Sequence, residues 1–195
     1  MKTLSPLLLL LLAVFTSSCT KKETIKPSEN PINTFTTGGS MSKTTVNNGR
    51  YELGYYFSAA VPGKVTQLGA KMPEAGTYTI TLWDVATKAV LRQKTLELGT
   101  PDKLIFEAID PVEVTDNTKK YAVTINNIAA GVTRKYDLWK TTAGGSFMPF
   151  VQGNILVHGS YASAIPTSST ASVFPITYAY TDVLLSSVDF TFVPN

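Results

Sequence analysis

The sequence predicts an all-β protein, an antiparallel β-sandwich or jelly-roll-like domain of about eight to ten strands with little helix. Three observations carry this. Apolar and polar residues alternate with a period of two over several stretches. Turn-forming residues separate these stretches at roughly ten-residue spacing. No stretch of the domain sustains the 3.6-residue repeat of an amphipathic helix.

The clearest strand is "GTYTITLW", with Tyr78, Ile80 and Leu82 on one face and Thr77, Thr79, Thr81 and Trp83 on the other. "KKYAVTINN" sets Tyr121, Val123 and Ile125 against Ala122, Thr124 and Asn126. "SVDFTFVP" sets Val188, Phe190 and Phe192 against Asp189 and Thr191. Further strands are predicted at 51–57, 64–72, 89–96, 103–108, 132–138, 154–158, 176–180 and 183–185. Between them stand Pro62-Gly63, Glu74-Ala75-Gly76, Gly99-Thr100-Pro101-Asp102, Asp116-Asn117 and Gly144-Gly145, all suited to tight turns. A helix over 81–96 is disfavoured by β-branched Val85, Thr87 and Val90.

The start of the chain has a different character. Lys2 precedes a run that is apolar from Leu4 to Phe15 apart from Ser5 and Pro6, and small residues lead into Cys19. This is the layout of a secretory signal. Twelve helical residues span about 18 Å, well short of the roughly 30 Å of a hydrocarbon core. Phe15-Thr16-Ser17-Ser18-Cys19 resembles the lipobox of bacterial lipoproteins, with Thr16 where leucine is preferred. By that resemblance residues 1–18 are a removed signal peptide and Cys19 carries the lipid. Thr20, in place of the aspartate that favours inner-membrane retention, points to the outer membrane. Several acyl chains anchor stably where one does not. Cys19 is the sole cysteine, so the domain is expected to hold together without disulfides.

Residues 19–45 are polar and punctuated by Pro27, Pro31, Gly38 and Gly39. That composition predicts a flexible, lipid-anchored linker. Residues 46–195 are then a single domain of ordinary size. Loss of Lys2 with the signal leaves sixteen basic against fourteen acidic residues. So small an excess gives no reason to expect a nucleic-acid partner.

The stretch from Leu53 to Leu98 resembles domain-of-unknown-function family 4082. Gly54 with Phe57, Gly63-Lys64-Val65-Thr66, and the strand from Ala75 to Trp83 with its Leu82-Trp83 ending carry the likeness. "KYAVTIN", "PFVQGNI", Phe174-Pro175 and the strand from Val188 to Val193 extend it over about Val46 to Val193. The resemblance implies a β-sandwich module of secreted bacterial proteins, some beside carbohydrate-active domains. It implies no activity and no binding residues.

Catalytic chemistry has little to work with. His158 is the sole histidine, and a Cys–His pair is unavailable once Cys19 serves as anchor. No G-x-S-x-G, H-E-x-x-H or P-loop motif occurs. His158 is read as a histidine at a strand end, and no enzymatic activity is predicted. Asp110, Glu113, Asp116 and Asn117 have the oxygen chemistry of a structural calcium site but match no EF-hand loop. Turns around a short strand explain them, and no metal or other cofactor is predicted. The best binding stretch is "KYDLWKTTAGGSFMPF". Tyr136, Asp137, Trp139, Lys140, Phe147 and Phe150 surround a Gly-Gly loop and are the candidate ligand residues. The competing reading places these aromatics in the core, as it does Trp83. The expected function is a non-catalytic envelope module that binds a glycan or another surface ligand. The alternative is a structural or protein-interaction module of a larger envelope complex.

Overall fold

The computed structural model describes residues 26–115 and 118–195. The all-β expectation holds. Its one helix among the described residues is α1 (Pro31–Thr37). The strands are β1 (Met41–Val46), β2 (Tyr51–Ala59), β3 (Gly63–Lys71), β4 (Gly76–Asp84), β5 (Val90–Leu98), β6 (Ile105–Val114), β7 (Tyr121–Asn126) and β8 (Ile128–Ala129). They continue with β9 (Val132–Thr133), β10 (Tyr136–Thr141), β11 (Phe150–Gln152), β12 (Ile155–Ala164), β13 (Tyr178–Tyr180), β14 (Leu184–Leu185) and β15 (Ser187–Pro194). Among the described residues fifteen strands form, more than the eight to ten expected; five of them have only two or three residues.

A seven-stranded antiparallel sheet runs β11-β12-β2-β7-β4-β5, with β13 beside β12. Two three-stranded sheets, β15-β3-β6 and β1-β10-β14, pack against it. Alternation supplies the core as predicted. Tyr78, Ile80, Leu82, Tyr121, Val123, Ile125, Val188, Phe190 and Phe192 share one buried cluster. Phe57 and Phe190 stack across the layers with ring centroids 4.3 Å apart. Each such ring removes on the order of 2–3 kcal/mol worth of apolar surface from water. Pro111 lies within β6, where an edge position and a register irregularity opposite Val65/Gln67 spare it a ladder bond.

The linker expected over 19–45 is corrected from Glu29 onward. Glu29 forms a backbone bridge with Phe192, N–H to O in both directions at 2.8 and 2.9 Å. Its carboxylate accepts the Asn154 backbone N–H at 2.8 Å. Pro31 opens α1 with its φ already suited to a helix. The Asp189 carboxylate accepts the first N–H groups, from Ile32 and Asn33. β1 then pairs with β10 over its whole length. Composition alone could not show this. The segment has few apolar residues, but β15 and β10 satisfy its backbone polar groups, and Ile32 is buried in the core. Residues 19–25, with Cys19, the residue expected to carry a lipid, lie outside the described residues, as does the segment 1–18 expected to be a signal peptide.

A strap, residues 166–177, crosses the outer face of the seven-stranded sheet. The Asn126 side chain donates to the Thr170 carbonyl, Thr81 Oγ1 bonds Ser172 Oγ, and the Tyr56 hydroxyl donates to the Pro175 carbonyl. Phe174 meets Trp83 edge-on at 5.7 Å. This cover buries the polar side of β2 and β7, including Glu52 and Thr124.

Candidate functional site

The period of two along β10 divides the candidate stretch. Tyr136, Leu138 and Lys140 line one concave surface. Asp137 and Trp139 point the other way and are buried. Asp137 accepts a hydrogen bond from Thr45 Oγ1 at 2.7 Å, with Lys43 Nζ 3.5 Å from its other oxygen. Trp139 Nε1 donates to Ser187 Oγ at 2.9 Å, and Lys71 Nζ lies 5.2 Å from its ring centre. Phe147 and Phe150 stack on Phe35 of α1 with centroids 5.7 and 3.7 Å away. Of the six candidates, Tyr136 and Lys140 therefore reach a common surface. Trp139, Phe147 and Phe150 pack internally or against the helix, and Asp137 is an internal acceptor. A joint exposed site of all six is not formed.

The surface that does form is a groove lined by tyrosines. It consists of two adjoining concavities, of about 180 and 220 Å³. Both are bordered by Asn48, Tyr136, Tyr180 and Leu185. Tyr51 and Tyr178 add to the first, Lys140 and Asp182 to the second.

Strand register assembles these rings. β12 pairs with β2 on one side and β13 on the other. Ala162 faces Tyr178 and Ala164 faces Tyr51, so small residues on β12 leave room for the two rings. Tyr51 meets Tyr178 edge-on at 6.3 Å and Tyr136 edge-on at 6.0 Å. Tyr178 and Tyr180 stand two residues apart and so project from the same face of β13. They are 42% and 36% exposed.

The Tyr136 hydroxyl donates to Asn48 Oδ1 at 2.7 Å. Burial, then the neighbouring Tyr51 and Tyr180, push its pKa up to about 12; the Asn48 bond offsets part of that. It is a neutral donor at any physiological pH. Among the described residues, Asn48 Nδ2, the Tyr178 and Tyr180 hydroxyls, Lys140 Nζ and the Asp182 carboxylate make no hydrogen bond or ion pair. The groove thus combines aromatic surface with polar groups free for a ligand.

Asn48, Tyr51, Tyr178, Tyr180 and Asp182 were not among the sequence candidates. "TYAYTD" carried a usable signal: two tyrosines on one face of a short strand with polar residues on each side. Tyr51 and Asn48 carried none, because their meeting with Tyr178 depends on pairing between segments far apart in the chain.

The remaining titratable groups lie elsewhere. His158 Nε2 is 3.0 Å from Ser58 Oγ, and burial followed by the Lys120 charge lowers its pKa. Glu52 is buried beneath the strap and accepts a hydrogen bond from Thr124 Oγ1, which in turn accepts one from Trp83 Nε1. Desolvation raises the Glu52 pKa to about 8 against the opposing hydrogen bonds. Asp110 and Glu113 lie on β6, and Glu113 pairs with Lys64 at 3.0 Å. Asp116 and Asn117 lie outside the described residues. Among the described residues no three His, Cys, Asp or Glu side chains gather as a metal site would require.

Compared with known families and curated proteins, the chain matches no family and no curated protein. The resemblance to family 4082 is an expectation from the sequence alone, and no family match supports it.

Proposed function

We propose that this chain is a non-catalytic β-sandwich module of the bacterial cell envelope, held at the outer membrane through a lipid on Cys19, that binds a glycan in its tyrosine groove. The observation that carries this reading is the meeting of Tyr51, Tyr136, Tyr178 and Tyr180 beside unpaired amide, ammonium and carboxylate groups. A sugar ring offers an apolar C–H face and a rim of hydroxyls. Aromatic rings take the face, and fixed polar groups orient the hydroxyls.

The test is a glycan array probed with residues 19–195, followed by titration of the best ligand. Binding should fall at least tenfold on Tyr178→Ala with unchanged thermal stability. A silent array at high micromolar protein, or full binding by the variant, rejects the groove as a glycan site.

A second reading has its own support. β13 is a three-residue edge strand whose outer side is unpaired, and Ile176, 59% exposed, stands beside it. An exposed strand edge with apolar neighbours suits a protein partner. Crosslinking in cells from azidophenylalanine at Ile176, with capture of one discrete protein and no glycan bound, supports this reading over the first.

A further inference from the structure

We infer that the groove opens at the end of the sandwich farthest from the anchoring bilayer, placed to meet saccharide chains beyond that bilayer's own headgroups. This rests on the proposed anchor at Cys19 and on the groove as the binding surface.

The chain joins the sandwich at one end. Glu29 is clasped there by Phe192 and Asn154, and Lys26 Nζ donates to the carbonyl of the C-terminal Asn195. Asn154 in turn accepts the Ala60 N–H at 2.7 Å, immediately beyond β2. The clasp therefore sits at the Ala59 end of β2. The groove sits at the other end of that strand, at Tyr51. β12 fixes the same polarity, with Ile155 opposite Ala59 and Ala164 opposite Tyr51. Nine residues of strand at about 3.3 Å each separate the two ends by roughly 27 Å.

The tether is short. Glu29 is fixed, so residues 20–28 alone connect it to Cys19. Even fully extended they reach only about 30 Å. A 26-residue linker would let the domain present any side to the lipid. This one holds the clasp end near the bilayer and sets the groove beyond it by the length of the sandwich.

Cys19 is the only thiol in the chain, so residues 19–195 can be coupled through it to a maleimide-headgroup lipid. The vesicles are otherwise phosphatidylethanolamine and phosphatidylglycerol with acceptor-labelled headgroups. Azidophenylalanine, placed at Val151 near the clasp or at Ile176 near the groove, carries the donor dye. Both positions are exposed, at 66% and 59%. Energy transfer should be several-fold higher from 151 than from 176. Equal transfer, or more from 176, overturns the inference. The coupling is independent of natural acylation, so a Cys19 that is not lipidated in cells is detected separately, by fatty-acid labelling. Loss of glycan binding is likewise read on the array.

Discussion

The ring of Phe35 lies over that of Phe150, centroids 3.7 Å apart and planes 12° from parallel. One residue belongs to α1, the other to the start of β11. The stack fastens the helix to the sandwich, and it leaves Phe150 with no open face for a ligand on that side. Phe35→Ala should cost about 2 kcal/mol of stability. Urea unfolding measures this, and groove binding by the folded variant should be unchanged.

Tyr180 and Trp139 should separate binding from folding. Tyr180→Ala removes an exposed groove wall, so it should weaken glycan binding about tenfold, ~1.4 kcal/mol. Its stability should stay within ~0.5 kcal/mol of the wild type. Trp139→Ala empties a core position and leaves Ser187 Oγ without its indole donor. It should destabilise by about 3–5 kcal/mol. Paired titration and thermal scans decide the matter; a Trp139→Ala protein of normal stability that binds no glycan would reverse the two assignments.

Glu52 gives the pH dependence a definite sign. Its pKa is about 8 in the fold against 4.5 unfolded. Across that interval the folded state keeps a proton that the unfolded state has lost, so stability falls as pH rises and levels off above pH 8. Asp189, raised to about 7 chiefly by burial, acts in the same direction over a window that closes earlier. Glu52→Gln should therefore match the wild type near pH 4 and exceed it at pH 8, by an amount on the order of a few kcal/mol. Between pH 7 and 8 the wild-type slope belongs to Glu52 of these two acids, and the glutamine variant should lose it.

Cys19 has a cellular test. A fatty-acid probe should label the wild-type chain and leave Cys19→Ser unlabelled and released from membranes. Equal labelling of both removes the anchor from the proposed function.

The β-class was readable because Tyr78, Ile80 and Leu82, or Val188, Phe190 and Phe192, repeat a pattern that one-sided burial imposes on any strand. The same rule, applied to "YDLWK", separates Tyr136 and Lys140 from Asp137 and Trp139. The alternation within that stretch splits it between two surfaces. Glu52, Thr124 and Asn126 look like a solvated face, and only the strap over them makes them internal. The fold of residues 29–46 was hidden for a related reason. Its partners, Asp189, Phe192 and β10, are supplied from positions ninety or more residues away, and nothing local announces them.

The clasp at Glu29 also decides how the domain bears mechanical load. Tension on the tether enters at Lys26 and meets its bond to Asn195 first, then the Glu29–Phe192 bridge and the Asn154 contacts. Behind them stands the Asp189 carboxylate on the start of α1. These few hydrogen bonds can open one after another, whereas the β15–β3 ladder, in which Phe192 pairs with Val65, is held by a long row of them. Under force the helix should peel away in an early, small step, lengthening the tether while the sandwich and its groove remain folded.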